Sequence, residues 1–151
     1  EAARGDIGGN QDPRPAIAMV SRSGLDLLAV ATGDDATATV WQVLEQGLTR
    51  YRHVEVVRAG APVSAQVEVK GGEIGRFTAI AAQPFALTVP RSGPFTLSAW
   101  LQLPERIEAP VEANQPVGEL VFAQEGKIVA AVPLVAPAAI APSGWIDTAR
   151  R

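Results

Sequence analysis

After residue 53 the hydrophobic period of this chain becomes two, and that alternation restricts its fold more than any other feature. Val63, Ala65, Val67 and Val69 alternate with Ser64, Gln66, Glu68 and Lys70, and Phe95, Leu97, Ala99 and Leu101 alternate with Thr96, Ser98, Trp100 and Gln102. Successive side chains of a strand point to opposite faces, so this pattern predicts strands with one buried face and one wet face. Shorter apolar runs predict further strands at 54–57, 76–81, 85–89, 119–123 and 128–135. Between them lie Gly60-Ala61-Pro62, Gly71-Gly72, Pro90 to Pro94, Asn114 to Pro116 and Glu125-Gly126, all rich in turn-forming residues. Many short, half-buried strands at this spacing predict a mainly β fold, a small antiparallel β-sandwich over residues 54–136.

The first 53 residues read differently. Residues 1–14 are rich in Gly, Asp and Pro without periodicity and read as loop. Apolar runs at 16–20 and 25–31 flank Arg22-Ser23-Gly24, and Gly24 can supply the positive φ of a tight turn, so a β-hairpin is expected. Neither run alternates cleanly, which predicts cover on both faces. Asp34 or Asp35 is placed to cap a helix. Val40, Val43, Leu44, Gly47, Leu48 and Tyr51 then follow at helical spacing, predicting one α-helix over 35–50 with Arg50 and Arg52 near its end. The expected organisation is a loop, hairpin and helix at 1–53, a β-sandwich domain at 54–136 and a tail at 137–151; the Pro- and Ala-rich 136–144 reads as an extended exit.

Composition narrows the chemistry. With 47% apolar residues but only 5% aromatic, the core must be built from small side chains. The absence of cysteine excludes disulfides, thiolate metal sites and cysteine nucleophiles, and leaves the compartment open. A formal net charge of −3 gives no electrostatic reason to expect nucleic-acid binding. No run approaches the ~20 apolar residues of a membrane span. The opening Glu1-Ala2-Ala3-Arg4 lacks the marks of a signal peptide and does not begin with Met, which predicts a mature or cut chain.

Isolated motifs add little. His53 is the only histidine, no Asp or Glu cluster shares ligand spacing with it, and it reads as a residue at the helix end rather than a metal ligand. Gly5 to Gly9 lacks the order of a phosphate loop, and no cofactor is expected. Arg4-Gly5-Asp6 matches an adhesion tripeptide by common residues alone. Lys70-Gly71-Gly72 reads as a hairpin tip. Of Trp41, Trp100 and Trp145, Trp100 is the candidate ligand or partner contact, because it lies on the strand face opposite Phe95 and Leu97. Trp41 lies off the main helix stripe.

Residues 106–136, with Ala109-Pro110, Pro116-Val117-Gly118, Gly126-Lys127 and Val132-Pro133-Leu134-Val135, resemble the last strands of the C-terminal domain of low-molecular-mass penicillin-binding proteins. These are the D-alanyl-D-alanine carboxypeptidases of peptidoglycan maturation. Arg22-Ser23-Gly24-Leu25 through Ala29-Val30, then Gly33, is similar to the closing hairpin of that family's catalytic domain. The helix with Leu44 and Gly47 resembles its last helix, Gly60 to Val63 the opening of its C-terminal domain, and Val89-Pro90-Arg91 its Pro-Arg turn. The resemblance covers most of residues 16–147.

What the resemblance implies about activity is negative. The family's catalysis uses a Ser-x-x-Lys, a Ser-x-Asn and a Lys-Thr-Gly. No serine here is followed by lysine three residues on, none begins Ser-x-Asn, and counting back from the hairpin puts Gly5-Asp6-Ile7 at the Lys-Thr-Gly position. The chain is therefore expected to be inactive alone, with no catalytic residues. The resemblance implies the periplasm or cell envelope, a role as spacer, and peptidoglycan or other envelope proteins as partners. Gly144-Trp145-Ile146-Asp147 resembles the first turn of the family's amphipathic anchor, so membrane contact is expected only through a truncated C-terminal tail. The rival expectation is a free-standing envelope binding module with Trp100 as its contact. The oligomeric state is left open.

Overall fold

A computed structural model describes residues 14–144. The described residues form two compact units, one comprising residues 14–53 together with Thr88–Ser92, the other Val54–Leu87 and residues 93–144. The expected mainly β fold is present, with one helix among the described residues.

The first unit is a hairpin with a helix on one face. Strands β1 (Ala16–Arg22) and β2 (Leu25–Ala31) pair antiparallel, Ala16 opposite Ala31 through Arg22 opposite Leu25. Ser23 and Gly24 both take positive φ, 51° and 78°, the signature of a two-residue turn whose twist matches the strands. Helix α1 (Ala36–Arg50) lays Val40 and Leu44 on Ala29, with Ala16, Ala18, Val20, Leu27 and Ala31 around them. Alanine-rich strand faces let the helix come close. At Gly47 an added Cβ would lie 2.6 Å from Leu27 Cδ1.

Three expectations for this unit are corrected. Asp35 occupies the N-cap position but makes no side-chain cap hydrogen bond; backbone bonds from Ala36 N–H to the Gly33 carbonyl and from Thr39 N–H to the Asp35 carbonyl close the first turn. Val43 is exposed, and Tyr51 and Arg52 belong to a strand, so the buried stripe is narrower than the spacing suggested. The hairpin is covered on one face only. On the other, Ile17, Met19, Leu28 and Val30 are 60 to 69% exposed, with Ile17 opposite Val30 and Met19 opposite Leu28. The runs are apolar on both faces, but among the described residues one helix supplies the cover.

The second unit is built on a six-stranded sheet. In chain order its strands are β4 (Pro62–Lys70), β5 (Arg76–Ala81), β7 (Leu97–Gln102), β8 (Arg106–Glu108), β9 (Pro116–Gln124) and β10 (Lys127–Val135), and in space they run β7-β9-β10-β5-β4-β8. All neighbours are antiparallel except β4 and β8, which are parallel. The short β8 was not anticipated, since three residues carry too little alternation to read. β7 begins at Leu97 rather than Phe95, which is exposed. Glu125 and Gly126, with φ of 50° and 80°, repeat the turn geometry of Ser23-Gly24 between β9 and β10.

Two more strands, β3 (Tyr51–Val57) and β6 (Phe85–Pro90), form a separate two-stranded sheet. Val57 and Phe85 pack on the core of the six-stranded sheet, giving the second layer of a sandwich, and the Phe85 ring lies 4.7 Å from that of Phe122. Val67, Ala79, Leu134 and Ala136 are fully buried at the centre. The core is small-residue in character, as the composition requires, and no charged or polar residue is buried among the described residues.

Residues 136–142 do more than leave the sandwich. Ala136 and Ile140 are buried in its core. Val111 and Ile140 exchange backbone hydrogen bonds at 3.0 and 2.8 Å, and Ser143 N–H reaches the Gly71 carbonyl at 2.7 Å. An Ala/Pro-rich stretch has little side-chain signal of its own, but its backbone groups are satisfied by the strands beside it.

Candidate functional site

Trp100 stands at the mid-point of β7, opposite Val121 of β9. Period two sends Leu97 and Leu101 toward the core and Trp100 to the opposite face, and its side chain is 40% exposed. It lines a groove of about 710 Å³. One wall is Ala99, Trp100 and Leu101 of β7 with Leu120 of β9; the other is Glu55 to Arg58, Ala61 and Pro62 to Ser64, with Ala81 between them. The lining is mostly apolar. Its two charged residues, Glu55 and Arg58, pair with each other at 3.2 Å. That pair is largely exposed and contributes little to stability.

Strands from both ends of the six-stranded sheet contribute to these walls. Among the described residues β7 is the terminal strand on one side, bonded only to β9. At the other side β8 pairs with Glu68 to Lys70 of β4, so among the described residues the first half of β4 has no partner strand on that side. Between Pro62 and Gln66 the ladder of β4 with β5 shifts register. Two incompletely paired stretches therefore flank one groove.

The other residues singled out in the sequence do not assemble into a site. Trp41 is 56% exposed on α1. His53 is an exposed β3 residue whose ring lies against the Ser23-Gly24 turn: a Cβ at Gly24 would meet His53 Cδ2 at 2.7 Å. Among the described residues no three His, Asp or Glu side chains converge as metal ligands. Gly71 takes a φ of 70°, which places Lys70-Gly71-Gly72 in a turn, and Lys70 Nζ lies 3.9 Å from Glu108 on the surface. Arg4-Gly5-Asp6, Gly5-Asp6-Ile7 and Trp145 to Asp147 fall outside the described residues. Sequence reasoning singled out Trp100 but missed Val56, Pro62, Val63 and Ser64 as its companions; they lie some forty residues earlier, and no periodicity reports which strands end side by side.

With one helix among its described residues and a small-residue sandwich, the chain is of the class of β-rich modules. The chain belongs to the family of the penicillin-binding protein 5 C-terminal domain, which matches residues 51–141. Solved structures share the fold. Penicillin-binding protein 5 from Haemophilus influenzae superposes with a TM-score of 0.65 at 20% identity, over 84% of this chain and 38% of that one. The D-alanyl-D-alanine carboxypeptidase DacD from Francisella tularensis gives 0.53 at 22% identity, over 85% and 33%. The peptidoglycan synthesis regulatory factor (PBP3) from Streptococcus pneumoniae gives 0.58 at 16% identity, over 87% and 40%. This chain thus spans two fifths or less of the length of these relatives. No curated protein sequence matches it.

Proposed function

We propose that the chain is the non-catalytic C-terminal portion of a serine-type D-alanyl-D-alanine carboxypeptidase of peptidoglycan maturation, working in the periplasm or cell envelope. Its sandwich acts as a spacer that carries the catalytic domain and presents a surface to peptidoglycan or other envelope proteins. One observation carries the reading: residues 51–141 match a domain family of these proteins, while no Ser-x-x-Lys, Ser-x-Asn or Lys-Thr-Gly occurs anywhere in the chain. The solved relatives overlay more of the chain than the family match covers, so the likeness in fold extends beyond 51–141. That extension supports reading the hairpin and α1 as the end of a catalytic domain. The apolar face of Ile17, Met19, Leu28 and Val30 is then the face that the rest of that domain covers.

Labelling with a fluorescent penicillin tests the reading. A serine carboxypeptidase is acylated stoichiometrically, whereas this chain is expected to show no adduct by gel fluorescence or mass spectrometry. A stoichiometric acyl adduct would overturn it.

A further inference from the structure

We infer that residues 140–143 are a clasp, hinged at 137–139, that lets go before the sandwich unfolds and so gives the second unit a reserve of length under tension. The inference rests on reading the sandwich as a spacer, and it adds that the spacer is extensible. The clasp is fastened on two sides. Ile140 exchanges backbone hydrogen bonds with Val111, while Glu73 N–H donates to the Ala141 carbonyl at 2.9 Å and Ser143 N–H to the Gly71 carbonyl at 2.7 Å. Successive residues thus turn their backbone groups to opposite sides, as in a short strand laid between two others. Pro142 faces Gly72 at the kind of antiparallel pair in which neither residue donates to the other, so the proline's missing N–H takes nothing from that contact. Gly72 also leaves room for the buried Ile140 side chain: a Cβ there would lie 3.0 Å from Ile140 Cγ2.

The fastening is uneven along the chain. Ala136 is fully buried and bonded to Asn114 and Gln115, so it belongs to the sandwich. Residues 137–139 are exposed and join none of the backbone hydrogen bonds between segments among the described residues. Beyond this bare stretch the clasp has four such bonds and one large buried side chain, Ile140. On the near side of it, β10 buries Val132, Leu134 and Val135 and is paired with both β9 and β5. Tension entering from the C-terminal side meets the clasp first, and the part with fewer buried apolar contacts opens at lower cost. Once freed, residues 137–143 reach at most about 25 Å at ~3.3–3.6 Å per residue. The sheet stays intact meanwhile, because β10 ends at Val135.

The test pulls on the whole chain and watches its amides. The sequence has no cysteine, so Lys127→Cys, at the exposed start of β10, and Arg151→Cys give two unambiguous points for the handles of an optical trap. The expected trace shows a reversible lengthening of at most about 25 Å below the force that ruptures the sandwich. Ser143→Pro removes the outermost bond at an exposed position; it lowers the force of that first step and leaves the rupture force unchanged. Hydrogen exchange without load gives the second readout. The amides of Glu73, Val111 and Ile140 exchange faster than those of Val132 and Leu134, and Ile140→Ala speeds Glu73 and Val111 by about tenfold or more. Leu134→Ala weakens the closed and the unclasped forms alike, so it speeds the Val132 amide and leaves those of Glu73 and Ile140 as they were. The inference fails if no lengthening precedes rupture, if the clasp amides exchange at the rate of the core, or if Leu134→Ala speeds both sets equally. Penicillin labelling bears on catalysis alone, so an adduct would overturn the proposed function without deciding the clasp, and failure here would leave the non-catalytic assignment standing.

Discussion

Arg91 donates from its guanidinium Nε to the carbonyl oxygen of Tyr51 at 2.9 Å. The same Nε lies 3.3 Å from the Leu48 carbonyl, and the Arg91 backbone N–H reaches the Arg50 carbonyl at 2.8 Å. The last carbonyls of a helix have no partner within it and carry its negative end. A residue forty positions later thus satisfies the exit of α1 with one charged group. Val89-Pro90-Arg91 is also the segment that resembles a Pro-Arg turn, and the contact explains what the arginine does there.

Arg91→Ala is therefore expected to destabilise the first unit by about 1–2 kcal/mol, the range for a hydrogen bond to a charged group reduced for its exposure. Arg91→Lys should recover only part, because an ammonium cannot reproduce the planar Nε–H geometry. Exchange of the amides near Leu48 and Tyr51 reports the effect. Equal protection in wild type and Arg91→Ala would show that the contact holds nothing in place.

Leu134→Ala should cost about 2–5 kcal/mol by urea denaturation. Leu134 is 0% exposed, sits on the central strand β10 and touches the core from both ladders, so the cavity left behind has rigid walls. A loss below 1 kcal/mol would mean that the sandwich collapses onto the gap.

Two glycines separate backbone from side-chain crowding. At Gly118 an added Cβ would run into the backbone carbonyl of Gln102 and lie 2.8 Å from Leu103 Cδ2. At Gly47 the neighbour is the flexible end of Leu27. Gly118→Ala should therefore lower the melting temperature by several degrees and loosen the β7–β9 pairing. Gly47→Ala should be much milder, since Leu27 can turn aside and alanine favours the helix by ~1 kcal/mol. The reverse ranking would contradict the geometry.

Polar replacements on the open hairpin face should improve solubility without weakening the fold. Met19→Lys with Leu28→Glu puts opposite charges on a cross-strand pair that the described residues leave uncovered. Light scattering should show less self-association, with denaturation midpoints changed by less than about 0.5 kcal/mol. A large loss of stability would show that this face is covered within the chain.

Much of this architecture was legible in the residues themselves. The period-two runs around Val67 and Leu101 locate strands because half-burial imposes alternation, and Ser23-Gly24 and Glu125-Gly126 mark turns through their positive φ. The helix was readable from Val40 and Leu44, but Val43 and Tyr51 overextended its stripe, because spacing cannot tell an apolar residue that is covered from one that is not. β8 escaped because three residues gain their strand geometry from Glu68 to Lys70 of β4 rather than from any pattern of their own. Trp100 could be assigned to the outer face by parity alone. Its groove could not be foreseen, since the partners at Val56 to Ser64 meet it only through the order of strands in space.

The membership of Thr88–Ser92 in the first unit sets a schedule for biosynthesis. A nascent chain that has emerged only as far as His53 already holds the hairpin and α1, yet the helix end still lacks the arginine that closes it. Roughly half of the second unit's strands must leave the ribosome before Arg91 arrives. At ~5–20 residues per second the carbonyls of Leu48 and Tyr51 wait a few seconds in solvent, and the hairpin-and-helix unit is completed by a segment synthesised in the middle of the unit that follows it.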